Sequence, residues 1–141
     1  MLEFTFNNSS KNNRFKKGFF LKILEIGLRE TGFGDKKIGL SLNIVGKAKI
    51  QSLNRIHRNK NKPTDVLSFP LNENGISKYH AINAIMELGD IFICPVIAKE
   101  KIEFLVVHGF LHLLGYDHEK SSQEKEKMFS LQERILKNIS H

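Results

Sequence analysis

The sequence predicts an α+β fold: one small mixed sheet of about four strands packed with about four to five helices, in a single domain spanning residues 1–141. Three observations carry that expectation. Two segments alternate apolar and polar residues with the period of a half-buried strand, and several others repeat apolar residues at helical spacing. The breaks between them are short and marked by Gly, Pro or Asn, with no internal repeat and no long linker. A chain of this length buries enough surface to fold without staples.

Leu2, Phe4 and Phe6 alternate with polar neighbours, as in a strand with one buried face. From Phe15 to about Thr31 the apolar positions Phe19, Phe20, Ile23, Leu24, Ile26 and Leu28 follow a helical period, and Gly32 and Gly34 end the helix. Ile38, Leu40, Leu42 and Ile44 form a second alternating strand. Ala48 to His57 reads as a short helix with Ile50, Leu53 and Ile56 on one face. A polar stretch, Arg58 to Lys62, is closed by Pro63, and Val66 to Phe69 is a short strand stopped by Pro70. Residues 71–86 read as a long loop. Asp90 to Ile97 is β-rich, and Pro95 marks an edge or the end of pairing. Lys101 to Leu114 is an apolar helix broken by Gly115. Ser121 and Glu124 have capping-box spacing and open a last helix, with Met128, Leu131, Ile135 and Leu136 as its buried stripe.

Composition narrows the function classes. Lys and Arg number 22 against 15 Asp and Glu, a net charge of +7. Residues 1–75 carry 14 basic and 6 acidic side chains (+8), whereas residues 76–141 carry 8 and 9 (−1). A basic half attracts polyanions, nucleic acid first among them, although net charge reports attraction and not chemistry. Cys94 is the only cysteine, so there is no disulfide partner within the chain. That fits a reducing compartment. The N-terminus lacks a basic region followed by an apolar run, and no apolar stretch approaches a membrane span, so the expected location is cytoplasmic, with no membrane partner.

The chemistry is concentrated in His108-Gly-Phe-Leu-His112-Leu-Leu-Gly115-Tyr-Asp-His118. His108 and His112, four apart on a helix, place two imidazoles on one face, one turn apart. Gly115 permits a left-handed turn at the helix end, which lets His118 approach from another direction. Three neutral imidazoles hold one divalent ion per chain, zinc by preference although nickel and copper also suit imidazole, and leave a fourth position open for water. Such an ion lowers the pKa of its water and polarises a phosphoryl or carbonyl oxygen. The HxxxHxxGxxH spacing is that of metzincin proteases, but Gly109 stands where those enzymes carry their glutamate base, which argues against peptide hydrolysis. Asp117 and Glu119 are candidates for orienting a ligand imidazole or are solvated loop residues. Cys94 reads as buried core. Met128 reads as ordinary core, Asp65 and Ser68 as flanking a strand, and Asp90 as a local cap at a strand start.

This segment, together with Pro63-Thr-Asp-Val-Leu-Ser-Phe-Pro70 with Arg58 upstream, and with Leu88-Gly-Asp-Ile-Phe-Ile-Cys94, resembles the YbeY family of bacterial endoribonucleases, also called rRNA maturation factors. The resemblance implies a small cytoplasmic metalloprotein that cleaves single-stranded RNA, with roles in 16S rRNA 3′-end maturation and ribosome quality control. Its partners would be RNA, rRNA in particular, and the small ribosomal subunit. It assigns the metal to His108, His112 and His118, and a basic residue beside it to Arg58. Arg58 is then the catalytic candidate, able to fork onto a phosphate, with Lys60 and Lys62 as further substrate-binding cations. A metal-activated water would attack the phosphodiester. Two other readings stand beside this one: a ribosome-associated assembly factor whose metal is structural, and another metallohydrolase acting on a small molecule. The sequence departs from the family at His57, where an aromatic residue is common. It departs also around Asn59 and Asn61, and in the stretch from Cys94 to His108, which is short enough that a helix before the metal helix is expected to be truncated.

Overall fold

In the computed structural model, which describes residues 1–72 and 84–139, the chain opens with strand β1 (Leu2–Asn8), helix α1 (Lys17–Glu30) and strand β2 (Ile38–Ile44). Helix α2 (Lys47–Arg58) leads to strands β3 (Val66–Pro70) and β4 (Met86–Ile93). The four-residue α3 (Pro95–Ala98), a 3-10 turn (Lys99–Lys101), α4 (Ile102–Leu113) and α5 (Ser122–Lys137) complete it. The sheet runs β1-β2-β4-β3, with β1, β2 and β4 parallel and β3 antiparallel on the edge. This is the mixed four-stranded α+β arrangement that the sequence predicts. The expected loop at 71–86 falls largely on residues 73–83, outside the described residues.

Period-two burial explains the sheet's inner face. Ile38, Leu40, Leu42 and Ile44 of β2 and Leu88, Ile91 and Ile93 of β4 join one core with α1, α4 and α5. Helix α4 is buried on nearly all sides, packed against β3, β4, α1 and α5. On the opposite face α2 covers a smaller cluster of Val45, Ile50, Leu67 and Cys94, so Cys94 is core, as expected.

Three sequence expectations change. Ile56 does not share a face with Ile50; it is exposed, because six residues at about 100° each leave it about 120° around the helix. Asn54 is buried in its place, donating through Nδ2 to the Lys62 carbonyl at 2.9 Å. The strand read as Asp90–Ile97 begins at Met86 and stops at Ile93, and Pro95 opens α3 at its first turn, where its missing N–H costs nothing. Asp90 is therefore no cap; it sits mid-strand and accepts a hydrogen bond from the Ser41 hydroxyl on β2. The reason lies in a bulge. The β2–β4 register steps from Gly39↔Glu87 to Leu40↔Gly89, an extra residue that swaps the inward phase from Met86 and Leu88 to Ile91 and Ile93. A strand whose phase switches half-way does not read as one alternating run.

The C-terminal helix starts as expected. The Glu124 N–H donates to Ser121 Oγ at 3.1 Å. Its buried residues are Met128, Gln132 and Ile135, with Leu131 and Leu136 only partly covered. Between Cys94 and α4 the chain forms the short α3 and the 3-10 turn. His57 packs on Phe69 with ring centroids 4.9 Å apart.

Candidate metal centre

Helix α4 is apolar nearly all round because it threads the core, so its two histidines are exceptional on it. Both are half-buried and emerge at the rim of the helix bundle. Gly115 (φ +104°) turns the chain after the helix, a conformation that L side chains rarely adopt. The loop then returns His118 to the same place. Ring centroids lie 4.5 Å apart for His108 and His112, and 5.5 Å from each of these to His118. The Nε2 atoms of His108 and His112 are 3.0 Å apart, and one nitrogen from each of the three rings lies within 4.8 Å of the others. Ligands about 2.0–2.1 Å from a tetrahedral ion sit roughly 3.3–3.4 Å from one another, so small side-chain adjustments close the triad on a metal.

The electrostatics suit a ligand set. Burial, followed by the neighbouring His108 and His118, lowers the His112 pKa to about 4. Burial lowers that of His108 as well, against a raising hydrogen bond from Gln132. Both rings are thus neutral near pH 7, the form that donates a lone pair to a metal. A consequence is testable. Between pH 6.5 and about 4 the unfolded chain binds a proton at His112 that the folded chain refuses, so the chelated protein loses stability as pH falls through that window. Thermal melts of chelated wild type at pH 7, 5.5 and 4.5 should show this fall, and a shallower one for His112→Asn. Equal slopes in the two proteins would contradict it.

Of the two readings of Asp117 and Glu119, their contacts fit that of solvated loop residues, and other groups touch the ligand rings. His108 Nδ1 lies 3.3 Å from Gln132 Oε1 on α5, which leaves Nε2 for the metal. The Tyr116 backbone hydrogen-bonds the His112 ring. Asp117 Oδ1 instead accepts the Glu119 N–H at 2.9 Å, and Glu119 comes only within 4.0 Å of His118 while 82 % exposed, a pairing of little energetic weight. Gln132 has one sequence signal, a lone amide in a buried helical stripe, and that signal does not name its partner 24 residues away. Replacing Gln132 with Leu is expected to weaken metal affinity by about tenfold or more with the fold retained, measured by competition with a chelating dye. Unchanged affinity would remove Gln132 from the site.

Gly109 has a structural reason. Its position faces the sheet, where a Cβ would meet Ser68 Oγ at 3.0 Å and Ile91 Cγ2 at 3.2 Å, so a side chain there would have to displace these neighbours. A cleft of about 380 Å³ opens over the histidines. One wall is the turn from Gly115 to Lys120, and the other is β3 (Val66, Ser68 and Pro70) with Arg58. Arg58, the last residue of α2, donates from Nη2 to the Ser68 carbonyl at 3.4 Å. Lys60 and Lys62 are exposed on the following loop and are not part of the cleft wall. Asp65 flanks the cleft, raising the His108 pKa slightly by its charge, while its carbonyl holds the Cys94 N–H.

The model of the family described as endoribonuclease YbeY matches residues 4–140. The chain belongs to this family. Relatives carrying the name Endoribonuclease YbeY include one from Oceanobacillus iheyensis, 48% identical with 82% of each chain covered. A second, from Staphylococcus saprophyticus, is 38% identical with 94% of each covered. The solution structure of TM1509 from Thermotoga maritima is similar with a TM-score of 0.60 at 28% identity, covering 94% of this chain and 86% of that one. The family resemblance read from the three sequence blocks is thereby borne out across nearly the whole chain.

Proposed function

We propose that this protein is a hydrolytic endoribonuclease that cuts single-stranded RNA at the three-histidine centre, with zinc as its metal. The observation that carries the reading is the convergence of His108, His112 and His118 beneath an open cleft whose facing wall presents Arg58. Membership of a family named for endoribonuclease activity supports the same chemistry. A bound divalent ion supplies an acidified water and Lewis-acid polarisation of a phosphoryl oxygen. The chain's own residues do the rest. Gln132 and the Tyr116 backbone hold the ligand rings in register. Arg58, anchored on the Ser68 carbonyl, presents its remaining donors to a phosphate and offsets charge that grows in the transition state. The basic stretch 47–62, with Lys47, Lys49, Arg55, Arg58, Lys60 and Lys62 and no acidic residue, concentrates RNA near the cleft. Lys60 and Lys62 contribute to that general attraction. We assign the protein to 16S rRNA 3′-end maturation and ribosome quality control in the cytoplasm, with the small ribosomal subunit as partner. Among the described residues no helix is long and apolar enough to cross a membrane.

The test is cleavage of an end-labelled single-stranded RNA by purified protein. Arg58→Ala is expected to lower kcat by about 100-fold or more while the metal content stays at the wild-type level. Undiminished turnover would take Arg58 out of the reaction.

A further inference from the structure

The outermost strand of the sheet forms one wall of the metal cleft, and its hydrogen-bond parity can be read from the register. Among the described residues strand β3 has one neighbour, β4, and pairs with it antiparallel from Val66↔Ile93 to Pro70↔Gly89. The Leu71 N–H donates to the Leu88 carbonyl and the Cys94 N–H to the Asp65 carbonyl, so pairs 71/88 and 65/94 are of the hydrogen-bonded type. Antiparallel pairs alternate in type, so Leu67 and Phe69 also bond inward to β4. Val66, Ser68 and Pro70 then turn their backbone groups outward, and all three line the cleft.

What this edge offers is asymmetric. Pro70 has no N–H, and it occupies an outward position, the one place on the strand where that loss breaks no ladder bond. The Ser68 carbonyl is occupied by Arg58 Nη2. The remaining outward groups are two donors, the N–H of Val66 and of Ser68, about 7 Å apart and with no bonding partner among the described residues, and the flanking carbonyls of Val66 and Pro70. A guanidinium sits beside them. A peptide strand adding to this edge could pair with Val66 but would meet the Arg58 guanidinium at the Ser68 carbonyl, which favours an anionic partner there. Two donors at about one nucleotide step with a cation between the edge and α2 suit an anionic backbone instead.

We propose that the free edge of β3 is a docking site for the phosphodiester backbone of the substrate strand, with the N–H groups of Val66 and Ser68 donating to phosphate oxygens beside Arg58. The proposal rests on the RNA-cleaving reading above and adds the subsite that aligns the strand over the histidines. It gives the buried Ser68 (8 % exposed) a backbone role that is independent of its side chain.

The decisive variant is Val66→Pro, which deletes one outward donor and no ladder bond, as Pro70 already does two positions beyond Ser68. The zinc-loaded full chain of Val66→Pro should keep its metal and melt within a few degrees of wild type. Its KM for single-stranded RNA should rise about tenfold, as for a lost hydrogen bond to a charged group, with kcat within about twofold. In parallel, a cleavage-resistant 2′-O-methyl phosphorothioate hexamer titrated into ¹⁵N-labelled zinc-loaded wild type should move the Val66 and Ser68 amide resonances together with those near Arg58. If Val66→Pro does not fold, this titration decides alone. Wild type that cleaves RNA while both amides stay still and the Val66→Pro KM is unchanged would overturn the edge site and leave the metal reading intact. Amides moved by an extended neutral peptide and not by the oligonucleotide would also overturn it, making the edge a protein-docking strand. Wild type that neither cleaves nor binds the oligonucleotide would sink both readings.

Discussion

His112→Ala is expected to cut single-stranded RNA at least about a thousandfold more slowly than wild type, the scale of several kcal/mol of metal-derived stabilisation removed. Of the three histidines, His112 is the one whose loss should be most complete. It sits at the end of a helix locked in the core, its ring is held by the Tyr116 backbone, and its Nε2 faces that of His108 at 3.0 Å. The side chain of His118, by contrast, is 42 % exposed on a loop, so a water can partly take its place. The fold should tolerate the change, because His112 is half-buried at the cleft rim and a truncation there opens to solvent. The check is steady-state cleavage of a labelled RNA by both proteins prepared side by side, with melting temperatures to establish that the variant is folded. A folded variant that retains more than about a tenth of wild-type turnover would separate cleavage from the histidine centre.

The largest effect expected on stability is that of Gly89→Ala. Gly89 occupies the bulge in β4 at φ +130°, and a Cβ there would lie well inside contact distance of the Phe69 carbonyl oxygen. That oxygen is backbone of the neighbouring strand and cannot swing aside as a side chain could. Backbone strain and the steric clash together should cost roughly 3–5 kcal/mol, lowering Tm by about 10 °C or more. The effect reaches the site. The bulge sets the phase that turns Ile91 toward Gly109 of α4, and β3 pairs with β4 across Gly89, so a shifted register moves the Ser68 carbonyl that anchors Arg58. A calorimetric melt of Gly89→Ala within a degree or two of wild type would mean that the bulge does not constrain the sheet.

The bulge also shows where sequence patterning stops being legible. β1 and β2 were readable because each keeps one inward phase from end to end. β4 changes phase between Leu88 and Ile91, and only its second half reads as a strand. Ile56 misled for a related reason: apolar residues three apart drift around a helix, and the polar Asn54 fills the buried position because the Lys62 carbonyl satisfies its side chain. The order β1-β2-β4-β3 left no trace in local pattern, since pairing partners are chosen by long-range packing. At the site, His108, His112 and Gly115 were legible because helix geometry and a left-handed turn are local rules, and these bring His118 into range. Gln132 was not, since its meaning comes from a contact across two helices. The loop cations divide in the same way. Arg58, the last residue of α2, is held at the cleft by the Ser68 carbonyl, whereas Lys60 and Lys62 lie beyond the left-handed Asn59 that ends the helix.

The central claim is that three imidazoles of this chain hold one metal ion. The most direct measurement is elemental mass spectrometry of the native-purified protein, prepared without chelators, beside His112→Ala prepared identically. About one zinc per chain in the wild type, lost in the variant, is the expected result. Metal absent from both after metal-replete purification, or equal in both, would contradict the claim, leaving the histidines as a structural cluster and the cleavage chemistry without its source.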